Sequence, residues 1–480
     1  MSRACSAPYA SLMNAKRISK KKPRKTKLSK GGSQVRPVDF HDEAERAVAE
    51  AAVRALREGR VAMKAAHDPK TYMAAYAKVY AGADRVTQVA IEALEADEEE
   101  EPDVVVVGGV MWRAVVSCEA TYRCLRGPLR CSRKLYRSKR NGPTRSFFEE
   151  RRGVMDGGFF PDLGRVVVET VAEIPAERAH AILERATGQS LSTATMKRTT
   201  VSVGNALRDE EAKFFTARIQ RRAVPKEARA VVISVDALSF NLRGEGYKQA
   251  TAATISLLDA RGDRIETIKL GEMPEEGKAT IMDRVEREVR AILKKRPSLK
   301  TEVVIDGAPD LRAHLLARFP DALHITDFFH VVEHIADGLR TIFPHDELLR
   351  DSMRAHLCHV LKHEKGGARW VMNWLRDPFR VLGARMSSAR QKLVDKHANY
   401  IRGQLPYLNY PKAANDNLDL GSGAVEASCK TLVTQRLKIS GAKWSREGAR
   451  AILYVRSLAQ SGRLDDAVGF HHARRLKHAA

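Results

Sequence analysis

The 480-residue chain has few cysteines, few aromatic residues and no long apolar run. Six cysteines are too few for a disulfide scaffold, so we expect a reducing, cytoplasmic environment. No segment approaches the roughly 18 consecutive apolar residues that a membrane helix needs, which argues against a transmembrane protein. The N-terminal stretch is basic but no apolar core follows it, which argues against a secretory signal.

Acidic residues are also scarce relative to basic ones. The chain has 59 acidic and 83 basic residues, giving a net charge of +24. Residues 1–37 hold 11 Lys or Arg and no acid, and subtracting these 11 charges still leaves +13 on the rest. This surplus favours a polyanion such as nucleic acid, because each neutralised phosphate releases condensed counterions. For residues 1–40, which we expect to form a disordered basic arm, a merely solvated surface is an equal alternative.

The pattern of apolar residues divides the chain into segments. After the arm we predict a helical segment (41–102), a small β-rich segment (103–164), a second helical segment (165–224), an α/β segment (225–327), a third helical segment (328–420), C-terminal helices (421–465) and a basic tail (466–480). Within the second helical segment, a helix over 176–187, a turn at Gly188 and a helix capped by Ser192 form a candidate helix-turn-helix. Ordinary helical packing is the alternative interpretation.

The α/β segment shows the clearest order of elements. We predict strands over 231–235, 251–258, 264–270, 302–305 and 323–325, with helices over 275–295 and 311–319. Three meandering strands followed by helix, strand, helix and strand indicate a mixed five-stranded sheet, half hairpin and half parallel. This is the strand order of the RNase H-like fold.

Acidic residues follow two of these strands. Asp236 comes after VVISV and Asp306 after EVVI, so both should lie in the crevice at the strand ends. Two adjacent carboxylates are tolerable when a divalent cation lies between them, and two-metal phosphoryl transfer uses such a site. Glu426, behind the loop Gly421-Ser422-Gly423, is a candidate third ligand. Taken singly, these residues could instead be turn residues or, for Glu426, an acid favoured by a helix N-terminus.

Further side chains near these acids are candidates for supporting roles. Asp327 and His330 begin a predicted helix, where they could orient a ligand, a water or a phosphate, or simply cap the helix. The candidate DNA contacts after Glu426 are Lys430, Arg436, Lys438, Lys443 and Trp444, with core packing as the alternative for the tryptophan. Three cysteines lack the Cys-x-x-Cys spacing of a zinc site, so we expect buried thiols and no zinc: Cys118, Cys124 and Cys131.

Four motifs carry a resemblance to a known family. They are VVISVDALSF, EVVIDGAPDLR, ITDFFHVVEHI and GSGAVEASCKTLVTQRLKISGAKWSREGARAIL. With them the chain resembles DDE-type insertion-sequence transposases and is most similar to the ISKra group, over about residues 228–465. The resemblance implies an RNase H-like catalytic domain interrupted by a helical insertion over 328–420. It also implies that Asp236, Asp306 and Glu426 are the catalytic, Mg²⁺-binding residues (Mn²⁺ being an alternative ion), and that Asp327 and His330 support them.

The function expected from this resemblance is transposition. The protein would cleave the ends of its own element and join the 3′-hydroxyls to target DNA by Mg²⁺-dependent phosphoryl transfer. It would act in the bacterial cytoplasm at the nucleoid, as at least a dimer on DNA. Two alternatives remain: a domesticated, non-catalytic DNA-binding protein, and an RNase H-like nuclease that cleaves without joining.

Overall fold

The computed structural model describes residues 42–96, 101–273, 277–377 and 386–479. The strands are β1 (Val104–Val107), β2 (Val110–Cys124), β3 (Gly127–Arg137), β4 (Ala230–Leu242), β5 (Gly246–Leu258), β6 (Arg264–Glu272), β7 (Lys300–Ile305) and β8 (Leu323–Thr326). The helices before β4 are α1 (Glu43–Ala65), α2 (Pro69–Ala96), α3 (Phe147–Arg151), α4 (Pro161–Glu173), α5 (Ala176–Thr187), α6 (Thr193–Asp209) and α7 (Glu211–Ala217), followed by a 3₁₀ turn (Ile219–Arg221).

The remaining helices surround and follow the second sheet. They are α8 (Ala279–Lys295), α9 (Pro309–Arg318), α10 (Phe328–Ile342), α11 (Glu347–His363), α12 (Gly367–Arg376), α13 (Ser388–Gln404), α14 (Tyr410–Asn415), α15 (Gly423–Ser428), α16 (Gln435–Leu437), α17 (Arg446–Gln460) and α18 (Leu464–Ala479). A 3₁₀ turn (Leu405–Tyr407) precedes α14, and a π-helical segment (Cys429–Thr434) joins α15 to α16. The predicted basic arm lies outside the described residues.

A five-stranded mixed sheet forms the centre of the fold, in the order β6-β5-β4-β7-β8. Strands β4, β5 and β6 form an antiparallel meander, whereas β7 pairs parallel to β4 and β8 parallel to β7. The predicted mixed α/β class and the order of its elements are therefore confirmed. Strand β4 runs further than predicted, because its pairing with β5 continues to Leu242 and Gly246 at the hairpin tip.

Helices cover both faces of this sheet, as alternate residues of β4 require. Val231, Ile233 and Val235 pack in one core with α8 and α9. Val232 belongs to a second core with the helices over 328–420, and the far end of β4 joins a third core with α4–α6 and α17. The predicted helical segment at 328–420 thus packs on one face of the sheet and shares a core with residues of β4, β5, β7 and β8.

The N-terminal part consists of a helical hairpin and a three-stranded antiparallel sheet, ordered β1-β2-β3. Helix α5 has the predicted bounds and Gly188 ends it with a φ of 68°. Helix α6 has the predicted cap, because the Ser192 hydroxyl accepts a hydrogen bond from the backbone N–H of Thr195. Helix α6 packs on α4 and α17. None of the helices in the described part of the chain combines the length and apolarity that crossing a bilayer requires.

Candidate functional site

The strand register brings three aspartates to one level of the central sheet. Continuing the parallel register of β4 and β7 by three residues places Asp236 beside Asp306. Continuing the register of β7 and β8 by one residue places Asp306 beside Asp327. Parallel strands present their carboxyl ends at the same edge, so the three carboxylates share one end of the sheet.

Asp236 lies half-buried at this edge. One carboxylate oxygen, Oδ1, accepts a hydrogen bond from the backbone N–H of Ala237 (2.6 Å), and the other, Oδ2, accepts one from the thiol of Cys429 (3.4 Å). Burial raises the pKa of Asp236, and the negative charge of Asp306 acts in the same direction. Asp236 therefore gains from a cation placed between the two carboxylates.

Asp306 follows β7 directly, in a tight turn. Its Oδ1 accepts a hydrogen bond from the backbone N–H of Ala308 (3.0 Å), and its main-chain oxygen accepts one from the hydroxyl of Tyr400 (3.0 Å). The next residue, Gly307, has a φ of 96°, and a Cβ there would lie 3.1 Å from the Tyr400 hydroxyl oxygen. Both the backbone angle and the close approach require glycine, so helix α13 fixes the turn that carries Asp306.

Asp327 is the N-cap of α10 and is almost fully buried. Its Oδ1 accepts hydrogen bonds from the backbone N–H groups of Phe329 (2.6 Å) and His330 (3.1 Å). Its Oδ2 accepts from both the backbone N–H and the hydroxyl of Ser422, each at 2.5 Å. Burial alone would raise the pKa of Asp327, but His330 and Ser422 outweigh it and lower the pKa to about 2. The predicted cap is thus present, and it also ties α10 to the loop before Glu426.

His330 lies one turn into α10, beside the aspartates. Its Nδ1 is 3.7 Å from Oδ1 of Asp327. The Asp327 carboxylate raises the pKa of His330 to about 9, against the opposing effect of burial, and Asp306 adds to the rise. His330 therefore carries a positive charge at neutral pH and offsets part of the negative charge at the sheet edge.

Glu426 meets this group from α15, a helix that packs on β4 and β5. Its Oε1 is 3.0 Å from the hydroxyl of Ser422, which is also bonded to Asp327. Ligand atoms of Asp327, His330 and Glu426 all lie within 4.8 Å of one another, and together these residues could hold a metal ion. Among the described residues this is the one such group of three, and the predicted ligands Asp236 and Asp306 are not part of it. Asp327 is buried, His330 is half-buried and Glu426 is exposed.

The segment after Glu426 corrects one predicted DNA contact. Lys430, Lys438 and Lys443 are exposed and remain candidates. Arg436, in contrast, is only 4% exposed, and its guanidinium donates hydrogen bonds to the main-chain oxygen of Val171 at 3.0 and 3.1 Å. The prediction that Arg436 contacts DNA is therefore wrong, because the side chain is enclosed between this segment and α4.

Trp444 has a packing role in the structure. Its ring is half-buried against the core that contains α4–α6 and α17, and the guanidinium carbon of Arg436 lies 4.7 Å from the ring centre. The main-chain oxygen of Trp444 also accepts a hydrogen bond from Arg243, just beyond β4 (2.9 Å). The packing alternative stated for this residue is thus the one that the structure supports.

Three residues at the site were not identified from the sequence as functional: Ser422, Cys429 and Tyr400. The first two lie in the motif around Glu426, where a serine between two glycines was the available signal. Tyr400 lies 94 residues after Asp306, within the predicted helical segment at 328–420, and gave none. Elsewhere, Cys124 and Cys131 are buried in the β2–β3 hairpin core, whereas Cys118 is half-exposed.

No protein-family model matches the chain, and no curated protein matches it either.

Proposed function

We propose that the chain is a DDE-type transposase with an RNase H-like catalytic domain. The observation that carries this proposal is the approach of three acids that are far apart in sequence to one edge of the sheet. Asp236 and Asp306 lie side by side on β4 and at the end of β7, and Glu426 returns to β4 after the helices over 328–420. The strand order β6-β5-β4-β7-β8, with β4–β6 antiparallel, is the order of that fold and supports the proposal.

The donor chemistry at this edge fits a divalent cation. Asp236, Asp306 and Glu426 supply carboxylate oxygens, which are the ligands that Mg²⁺ prefers in proteins. Burial raises the pKa of Asp236 and the charge of Asp306 adds to the rise, and a bound cation would oppose both effects. When bound, Mg²⁺ would stabilise the negative charge on the attacking and leaving oxygens of a phosphodiester.

Asp327 suits a positioning role better than a direct bond to the ion. Its two oxygens already accept four hydrogen bonds, so all of its lone-pair directions are used. Through these bonds it holds Ser422, which can donate its single hydroxyl proton to Asp327 or to Glu426 but not to both at once. With that proton on Asp327, the carboxylate holds the Ser422 loop that leads into α15, and so would position Glu426 through the backbone of this loop.

His330 would act on the substrate side of the site. The charged imidazolium is partly exposed, beside the buried Asp327 that holds it. It can donate a charge-assisted hydrogen bond to a phosphate oxygen and so orient the scissile phosphate. Three exposed lysines follow Glu426 in the sequence, at 430, 438 and 443, and the chain has an overall charge of +24. Both features suit a DNA backbone.

The test is a strand-cleavage and strand-joining assay with the full chain. The substrate is duplex DNA that carries the sequences flanking the coding region, where the inverted repeats of such an element would lie. A supercoiled target DNA and Mg²⁺ are added. We expect 3′-end cleavage and joined products, and a fall of roughly 10³-fold or more in Asp236→Asn and Glu426→Gln. Glu227→Gln, at an exposed acid that precedes β4, is the control and should keep the activity.

Each alternative gives a different outcome. Cleavage that is never followed by joining supports an RNase H-like nuclease. DNA binding without any Mg²⁺-dependent chemistry supports a non-catalytic DNA-binding protein. Full activity in Asp236→Asn contradicts the proposed site even if the products are those of transposition.

A further inference from the structure

The hairpin of α1 and α2 packs through its smallest residues. Gly59 of α1 and Ala75 and Gly82 of α2 are the residues that the hairpin buries most fully. A Cβ on Gly82 would lie 2.8 Å from Cβ of Ala55, and one on Gly59 would lie 3.0 Å from a methyl group of Val79. The two helices therefore approach closely, and no large apolar side chain is enclosed between them.

Large apolar side chains instead lie on the outside of the hairpin. We define the hairpin face by six exposed residues: Val53, Leu56, Met73, Tyr76, Tyr80 and Leu94. On α2 the positions 73, 80 and 94 differ by multiples of seven and lie along one line. Successive residues of a helix are rotated by 100° about its axis, and the glycines and alanines at the contact mark the direction of the other helix. Because the two helices are antiparallel, this rotation places the face residues of α1 and of α2 on the same side of the hairpin.

The apolar side chains of the hairpin face would be stabilised by burial against a partner. The side chains of Leu56, Met73, Tyr80 and Leu94 are each more than 60% exposed. Large apolar side chains exposed together on one side of a pair of helices mark interaction sites in folded proteins. Two hairpins packed face to face would enclose these side chains in a four-helix bundle, which is a stable arrangement for such helices.

The charges of α1 indicate that the covering is a second copy of this chain. Residues 42–50 carry four acidic residues and one basic residue, whereas residues 51–65 carry four basic residues and one acidic residue. Two copies of α1 in antiparallel orientation, with a two-fold axis near Val53, bring the acidic half of each onto the basic half of the other. In that pairing Glu45 lies opposite Arg60, whereas a parallel pairing would set like charges together.

We propose that the chain forms a homodimer without DNA, through the hairpin face, by an antiparallel four-helix bundle. The contact is isologous, so one patch serves both copies and the assembly closes at two. The proposal does not depend on the chemistry at the sheet edge. In a transposase it would supply two catalytic domains before the element ends are bound.

The first experiment measures the mass of the full chain without DNA by sedimentation velocity, at roughly 1–50 µM, a range that spans a Kd on the order of 10 µM. We expect a dimer for the natural chain and a monomer for Leu56→Glu and for Tyr80→Glu. Val61→Glu is the matched control: Val61 is 69% exposed on the same helix, close to the 63% of Leu56, but lies off the hairpin face. It should remain a dimer. Circular dichroism of each variant checks that the helices form.

The second experiment exchanges the charges of Glu45 and Arg60, which face each other across the two-fold axis. Glu45→Arg and Arg60→Glu should each weaken the dimer by several-fold, and the double variant should restore it, because the pair is exchanged as a unit. If the natural chain is a monomer, the proposal is overturned. That result is expected if residues of the N-terminal arm, and not a second copy, cover the face. A dimer that survives Leu56→Glu, or one that forms only on DNA, also overturns it.

Discussion

Replacing Glu302 with glutamine should remove a large pH dependence of stability. Glu302 lies on β7 and is fully buried. Its Oε2 accepts a hydrogen bond from the backbone N–H of Asp419 (3.0 Å), three residues before Ser422. Its Oε1 has no hydrogen-bond partner among the described residues. Burial, with a smaller contribution from the charge of Asp419, raises the pKa of Glu302 to about 9.

The magnitude follows from linkage. In the unfolded chain Glu302 titrates near its ordinary value of 4.5, so between pH 4.5 and about 9 folding takes up a proton. The free energy of unfolding therefore falls by about 1.4 kcal/mol per pH unit in this window, or by about 3 kcal/mol between pH 4.5 and 7. The stabilisation is complete below pH 4.5 and is lost as the pH rises through about 9.

Glutamine keeps the acceptor for Asp419 but does not titrate. Its amide N–H₂ would occupy the unpartnered Oε1 position at a cost of ~1–3 kcal/mol that does not change with pH. The informative quantity is therefore the slope. We expect the difference in unfolding free energy between Glu302→Gln and the natural chain to grow by about 1.4 kcal/mol per unit between pH 5 and 8.

The assay is urea unfolding followed by circular dichroism at half-unit pH steps. Glu227→Gln is the control, because Glu227 is exposed and should give a flat difference. A flat difference for Glu302→Gln would mean that the carboxyl is ionised in the folded protein. The account of a neutral acid holding the segment before Ser422 would then be refuted.

Three further outcomes can be measured. Gly421→Ala should cost ~1–3 kcal/mol, because its Cβ would lie 2.9 Å from the ring of Phe329, and adding Phe329→Ala should recover most of that loss in urea unfolding. Arg456→Met should lower the free energy of unfolding by about 3 kcal/mol or more, since this buried guanidinium donates hydrogen bonds to four main-chain oxygens. Arg446→Met is the control: it removes a half-exposed ion pair and should lower the free energy of unfolding by less than ~1 kcal/mol. Lys438→Ala should reduce the salt slope of DNA binding by about one, measured by fluorescence anisotropy, and an unchanged slope would exclude a phosphate contact.

The central sheet could be predicted from the sequence because its strands are short apolar runs separated by turn residues. The predicted strand over 251–258 ends where β5 ends, and the helix over 176–187 has the bounds of α5. The second half of β4 was missed. In Ala237–Leu242 polar and apolar residues alternate, and the strand forms because β5 pairs with it over the full length. Such pairing is a tertiary effect that a local pattern does not contain.

Some residues of the candidate site could also be predicted from the sequence, whereas others depend on tertiary packing. Asp236 and Asp306 could be predicted as neighbours, because strand ends in a parallel pair meet at one edge. The helix start at Asp327 was also readable, since an aspartate before an apolar helical run is a common N-cap. The hydroxyl of Ser422 and the phenol of Tyr400 reach the site from elements whose positions depend on how the helices over 328–420 pack on the sheet. No spacing rule gives that packing.

The role of Arg436, in contrast, was within reach of the sequence. Val425, Cys429, Leu432 and Arg436 recur at intervals of four, three and four residues, which is the spacing of one helix face. All four are buried. The arginine occupies a position on the apolar face, and the carbonyl of Val171 supplies the acceptor that a buried guanidinium needs. Residue type suggested a phosphate contact, but the periodicity of the segment predicts the buried position, and the lysines at 430 and 438 fall on its exposed side.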